Sequence, residues 1–545
     1  MMLKLDSNEG PAPSAALLAS LASLDPELLR RYPDIGGLEA ALAERLGVTP
    51  ERVIVTAGAD EAIDRAFRAF LTPGRSLTLP DPSFEMFYRF AALVGAQAER
   101  IVRVPWGRGP FPTAAFVSAL HARTGVAVVV SPNNPTGAVA SADDVRRISA
   151  ARPDAIVLLD HAYVEYADDD LTEAALALPN VLVLRTLSKA WGLAGCRVGY
   201  AVGSRGTIAA MRAAGGPYTV AGPSVALALA RLAGPAAELR DHVARIREER
   251  AALIERLTAL GLDPAPSQTN FVFVECGARA SFIAAALDAL GVVVRAFPDR
   301  PALTTALRIT LPGDTADFAR LVTSLETVLA PEALLFDLDG VLADVRDSQR
   351  AAIAATAQAF GVGVTPADIA AEIRAGDANN DWVVTHRLIA RRDAGVSLAD
   401  VTARYQPIYL GLRDQERLIP ARALLETLAA RLPLAIVTGR PRDEARWFLE
   451  RAGIAELFAA VVAMEDAPVK PSPAPLRLAL ERLGVRRAWM VGDTPDDVTA
   501  AAGADVVPLG VIAPGDDALR TSAALQSSGA ACVLNDVADL AELLR

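Results

Sequence analysis

At 545 residues the chain exceeds what a single hydrophobic core supports, so about two to four domains are expected. A hydrophobic content of 52% with 22% charged residues is globular composition and excludes a disordered chain. The net charge of −11, without any Lys/Arg block, speaks against nucleic acid or an anionic membrane surface as partner, and no run reaches the roughly 18 apolar residues of a membrane span.

The three cysteines (Cys196, Cys276, Cys532) show no C-x-x-C spacing and the four histidines are scattered, so neither a disulfide framework nor a zinc site is expected. The first residues carry no apolar signal region, which points to a cytoplasmic protein. In chain order, a loop holding Asn8 leads to a helix over 14–24, and a second loop, Arg31-Tyr32-Pro33-Asp34, leads to a helix that runs through Leu46. A strand over 52–55 then runs into Gly58-Ala59-Asp60-Glu61 and directly into a helix. Strand, glycine turn and helix N-terminus in that order make an anion site, because free amides and the helix dipole both face the incoming charge.

Strands follow at 76–79, 126–130, 156–159 and 181–184, each delivering unusual chemistry at its C-terminal end, where ligands sit in parallel α/β sheets. These ends carry Ser83-Phe84, Ser131-Pro132-Asn133-Asn134-Pro135-Thr136-Gly137, Asp160-His161-Ala162-Tyr163 and Thr186-Leu187-Ser188-Lys189. Lys189 stands out because only Lys4, Lys189 and Lys470 are lysine among the 54 basic residues. An amine can lose its proton and attack a carbonyl, whereas a guanidinium stays charged. A long charged helix over 237–260 and a short α+β tail with Arg295 and Arg308 close this half.

At Pro331 the pattern restarts with a buried strand that delivers Asp337-Leu338-Asp339-Gly340, then a helical stretch over about 349–424. Strands at 434–437, 461–464 and 488–492 follow, the first ending in Thr438 and the last in Asp493. The two halves are expected to meet near 331/332, with a helical cap over about 346–424 in the second.

The groups at the first strand ends meet the needs of pyridoxal phosphate: Lys189 for a Schiff base, Asp160 for the pyridine nitrogen, Tyr163 and Asn134 for the ring hydroxylate, and Phe84 for stacking. Gly58, Ala59, Asp60, Thr186, Ser188 and Arg197 suit its phosphate. With Leu307-Arg308-Ile309-Thr310, these motifs in this order resemble the fold-type I, class I/II aminotransferases, most closely the histidinol-phosphate aminotransferase family. The resemblance implies the PLP-dependent transferase fold, glutamate and a small phosphorylated molecule as substrates, and a homodimer in which Tyr32 reaches the neighbour's cofactor. It also implies that Asn8, Arg295 and Arg308 bind substrate. Phe84 stands where that family usually has tyrosine, and His161 where glutamate is commoner.

Asp337-x-Asp339-Gly340 also admits a calcium-loop reading, but the twelfth position is Ser348 rather than a bidentate glutamate. As a phosphoryl-transfer set, Asp337 is the nucleophile, Asp339 the acid and base, and Thr438 with Lys470 the phosphate binders. Asp337, Asp339, Asp493 and Asp497 are then the magnesium ligands, with Asp496 an adjacent alternative to Asp497. These four elements resemble the haloacid dehalogenase (HAD) superfamily, implying a Rossmann-like α/β domain with a cap and phosphatase activity. Together the halves imply consecutive steps of histidine synthesis, with Asp377, Asp381 and Asp393 of the cap as candidate acceptors for the amine made by the first half. A front half of other specificity, including a phosphothreonine decarboxylase-like lyase, and a rear half that is non-catalytic or acts on an unrelated ester are the alternatives.

Overall fold

The computed structural model describes residues 2–376, 378–392 and 395–544. Two compact units are present, one comprising Lys4–Gly277 and Val294–Ala319, the other Ala278–Val293 and the chain from Arg320 onward, with the first residues.

The first unit is built on a seven-stranded sheet in the order Val53–Thr56, Gly199–Val202, Val181–Thr186, Ile156–Asp160, Thr124–Val130, Ser76–Asp81, Ile101–Pro105. Gly199–Val202 runs antiparallel to both its neighbours and the other pairings are parallel. Thr124–Val130 is buried along its whole length, and its side chains alternate between two cores. Ala127 and Val129 join one, while Val126, Val128 and Val130 join the other, as befits a central strand covered by helices on both faces. The sequence reading had no strand at Ile101–Pro105 or Gly199–Val202; both are short, and each is recognisable only by the neighbour it pairs with. The tail forms antiparallel pairs in which Phe271–Glu275 lies beside Ala306–Thr310, and Arg295 stands directly opposite Arg308.

In the second unit, a six-stranded parallel sheet runs Phe458–Val462, Leu434–Val437, Ala333–Phe336, Ala488–Gly492, Val507–Val511, Cys532–Leu534. The strand leading to Asp337 is thus central, flanked by those ending at Thr438 and Asp493. A two-stranded ribbon, Ala343–Asp344 with Arg417–Leu418, encloses four helices: Ala351–Ala359, Pro366–Arg374, Asp381–Ala390 and Leu398–Leu412. These helices share a core of their own that includes Ile353, Ile369, Val384, Leu388, Tyr405 and Tyr409.

Trp489 lies in the sheet of this unit, 1% exposed, and its indole N–H donates to Thr327 O at 3.0 Å. It meets Phe282 edge-on at 5.4 Å, so helices Ala280–Ala289 and Thr315–Leu329, which precede Pro331, contribute to the same packing. Arg487 adds ion pairs to Glu326 at 2.7 Å and Glu332 at 2.9 Å. Trp489→Ala is expected to cost about 3–5 kcal/mol by emptying this position, seen as an earlier unfolding transition on heating. An unchanged transition would show that the indole contributes nothing there.

Candidate active sites

In the first unit a pocket opens at the C-terminal ends of the parallel strands. Strand Val53–Thr56 ends at Gly58, whose φ of 75° is open to glycine, and a Cβ there would fall 2.5 Å from Arg197 Nη2. Arg197, itself at φ 51°, pairs with Asp60 at 3.0 Å beside the first turn of helix Gly58–Phe70. Thr186 Oγ1 and Ser188 Oγ are 2.9 Å apart at the next strand end. Asp160 is 5% exposed, and the hydrogen bond described for its side chain comes from Ala162 N at 3.2 Å. Burial pushes this carboxyl up to about 7, the signature of an acid built to face a cation.

Lys189 sits across the pocket with Nζ 5.6 Å from the Tyr163 ring centroid and 3.3 Å from Ser7 O. Burial, and then the Arg308 charge, lower its amine to about 8. Asn8, at φ 53°, donates to Tyr163 Oη at 2.9 Å and is anchored by Thr310, which donates to its Oδ1 at 2.9 Å. Arg308 is buried and donates to Asn134 Oδ1 at 2.7 Å, and Arg295 lines the same wall because cross-strand pairing sets it opposite. Phe84 and Ala59 also line the pocket.

Tyr32 lies outside this pocket; it is 81% exposed and stacks on Tyr218 at 4.6 Å. Arg300, which sequence reasoning missed, lines the pocket and donates to Ser83 O at 3.1 Å. It lies between elements, where no periodicity marks it.

In the second unit Asp337, Asp493 and Asp497 place carboxylate oxygens within 4.8 Å of one another. Lys470 Nζ reaches Asp337 at 2.6 Å and Asp497 at 2.5 Å, with Val437 O at 3.0 Å. Burial and the crowding of the other acids push Asp337 up to about 7 and raise Asp493 further. Three buried carboxylates against one ammonium leave a surplus of negative charge, and Asp493 Oδ1 is buried without a hydrogen-bond partner. The donor set fits a divalent oxygen-ligated cation such as magnesium. Gly340, at φ 75°, has no room for a Cβ, which would fall 2.2 Å from Asp493 Oδ2.

The Asp339 carboxylate, expected among the metal ligands, is instead turned away from this group: Oδ1 accepts from Arg440 Nε at 2.6 Å. Arg440, fully enclosed, also binds Glu416 at 2.9 Å, and its charge draws the Asp339 carboxylate off the metal group. Asp496 faces the cap, accepting from Ala378 N at 2.7 Å and Asn379 Nδ2 at 2.9 Å, so of the two adjacent acids it is Asp497 that joins the cluster. Thr438 is buried, its Oγ1 accepting from Arg440 N at 3.1 Å. Of the cap acids singled out in the sequence, Asp381 lines the cavity before Asp337, while Asp377 and Asp393 lie outside the described residues.

Residues 1–325 match the model of aminotransferase class I and II. The chain belongs to that family. Residues 331–505 match haloacid dehalogenase-like hydrolase, so an aminotransferase and a HAD-like hydrolase domain are fused in one chain. A histidinol-phosphate aminotransferase of Aromatoleum aromaticum is 35% identical over 339 residues, covering 60% of this chain and 93% of that protein. An imidazoleglycerol-phosphate dehydratase of Phytophthora nicotianae is 46% identical over 197 residues, covering 34% of this chain; the chain spans 44% of that relative's length. Among solved structures, histidinol-phosphate aminotransferase from Sinorhizobium meliloti, in complex with pyridoxal-5'-phosphate, aligns with a TM-score of 0.54 at 28% identity, covering 60% of this chain and 90% of that one. No helix among the described residues is long and apolar enough to cross a membrane.

Proposed function

We propose that the chain catalyses two consecutive reactions, transfer of the glutamate amino group to imidazole acetol phosphate and hydrolysis of the resulting L-histidinol phosphate. The observation that carries this reading is the fusion itself. A domain similar to histidinol-phosphate aminotransferases is joined to a domain with an Asp337, Asp339, Lys470 and Asp493 set, and a further relative is named for another imidazole phosphate ester.

In the first domain, extending to about residue 331, pyridoxal phosphate supplies an electron sink for the substrate's α-carbon. Asp160 would hold the charge of its ring nitrogen, Asn134 and Tyr163 its hydroxylate, and Phe84 would pack against its ring; Gly58, Ala59, Asp60, Thr186, Ser188 and Arg197 would hold its phosphate. Lys189, its amine lowered to about 8, holds and moves the proton at the α-carbon. Arg308 takes the glutamate carboxylate, with Arg295 and Asn8 beside the acceptor. The same reading includes a cytoplasmic homodimer in which Tyr32 completes the second subunit's site.

In the second domain, with its cap over about 346–424, Asp337 attacks phosphorus and Asp339 protonates the departing oxygen. Asp339 then takes a proton from water, which attacks the phosphoryl group, releases inorganic phosphate and restores Asp337. Lys470 and Thr438 offset the phosphoryl charge, and Asp337, Asp493 and Asp497 would hold magnesium.

Full-length protein given glutamate, imidazole acetol phosphate and magnesium should yield 2-oxoglutarate, histidinol and phosphate, and chelation with EDTA should stop the sequence at L-histidinol phosphate. Failure to form 2-oxoglutarate would refute the reading. Consecutive action further requires the phosphatase to spare the ketone, so kcat/KM for L-histidinol phosphate should exceed that for imidazole acetol phosphate at least about tenfold, some 1.4 kcal/mol. Equal rates on the two would break the consecutive order.

A further inference from the structure

The cavity before Asp337 carries charge that phosphoryl transfer does not use. Two arginines line it, and both are committed: Arg350 to Asp516, with Nη2 3.4 Å from Oδ2, and Arg440 to Asp339 at 2.6 Å and Glu416 at 2.9 Å. Two carboxylates of the wall, Asp381 and Glu444, stand in no ion pair among the described residues. Each is nevertheless held in place. Asp381 opens helix Asp381–Ala390 behind the Asn380 cap, and its Oδ2 accepts from Tyr405 Oη at 2.9 Å. Glu444 Oε1 accepts from Gln406 Nε2 at 2.5 Å. The same cavity is lined by Asp493, 7% exposed, whose unpaired Oδ1 marks the metal position beside which a phosphate ester would sit.

Asp381 is also one side chain away from the acid that serves the leaving group. Gln349 lies between the two acids: in the amide orientation that satisfies its neighbours, its nitrogen donates to Asp381 Oδ2 at 3.2 Å and its oxygen accepts at 3.1 Å from Arg440 Nε, which also donates to Asp339. Asp339 and Asp381 thus line the same end of the cavity, linked through Arg440 and Gln349. With the arginines paired, Asp381 and Glu444 are the acidic groups this end of the cavity offers; burial pushes Asp381 up to about 7 and raises Glu444, so an ammonium beside them favours their charged form where an anionic or ketonic leaving group does not.

We infer that Asp381, supported by Glu444, reads a positive charge on the leaving group, so that the phosphatase acts on phosphate monoesters of amino alcohols. This rests on the phosphatase reading above but not on its particular substrate. A neutral analogue leaves the Asp381 carboxylate hydrogen-bonded to Tyr405 but without a counter-charge, and such a loss lets a polar site discriminate.

O-phosphoethanolamine and ethyl phosphate make the test, because they differ by the ammonium alone and the first has the phosphate-to-ammonium spacing of L-histidinol phosphate. The magnesium-loaded full-length protein should favour O-phosphoethanolamine at least about tenfold in kcat/KM, expressed in KM. Asp381→Asn should bring the ratio to within about twofold of one, while Asp381→Glu, which keeps the charge, should retain most of the preference. A wild-type ratio near one overturns the inference, as does a preference that survives Asp381→Asn. An equal loss on both esters in that variant also counts against it, since charge reading predicts a selective loss. The pair contains no imidazole: a protein that favours O-phosphoethanolamine yet leaves L-histidinol phosphate intact would sink the consecutive-step reading and leave the cation reader standing.

Discussion

Asp337→Asn should reduce magnesium-dependent phosphate release at least about a thousandfold, because the amide is a poor nucleophile and cannot form the phosphoryl-enzyme bond. Its neighbours make the loss hard to bypass. Lys470 is 2.6 Å from Asp337 and 2.5 Å from Asp497, and neither Asp493 nor Asp497 is at the end of the central strand that leads to Asp337. The substitution also removes one of three carboxylates from the metal group, so added magnesium should not rescue it. Glutamate-dependent transamination should stay within about twofold of the parent, since Lys189 and its companions are built on a different sheet. Substantial phosphate release by Asp337→Asn would take the nucleophile's role away from this residue.

Lys189→Arg should abolish transamination, again by at least about a thousandfold, and should remove the visible absorption of the cofactor-loaded protein. The reason lies in the lowered amine. Burial and Arg308 bring Lys189 to about 8, so a workable fraction is unprotonated near neutral pH, whereas a guanidinium holds its proton throughout. The folded-state value lies below the 10.5 of an exposed lysine, so folding disfavours the charged form; the resulting destabilisation is full below about 8 and is relieved as pH rises from there toward 10.5. Phosphate release measured on the same Lys189→Arg sample should be retained, which guards against a general folding defect. Persistence of the absorption band would show that another amine holds the cofactor.

The strand ends were legible in the sequence because each combines an apolar run with residues that a mere connection does not need, and Asp160, Lys189, Asp337 and Asp493 all emerge at such ends. The long charged helix expected over 237–260 is found at Ala236–Ala259, since its length and periodicity leave little choice. Legibility stops where a position depends on pairing. Arg295 and Arg308 carry no local sign that they face each other across two strands. Arg300 sits in a connection, and Arg440 joins Asp339, 101 positions away, and Glu416, 24 positions away. The strands Val507–Val511 and Cys532–Leu534 escaped for a similar reason, being short segments defined by their neighbours in the sheet.

The seating of Trp489 against Phe282 and Thr327 has a consequence for synthesis on the ribosome. Helix Thr315–Leu329 leaves the exit tunnel well before the strand that will cover it, which arrives roughly 160 residues later, on the order of 10–30 s at usual elongation rates. During that interval Phe282 and the Thr327 carbonyl lack the Trp489 indole that meets both in the finished chain. Detaching the two parts at the gene level would make that interval permanent, so a stop codon after Pro331 should yield a protein that depends on chaperones in a way the uncut chain does not.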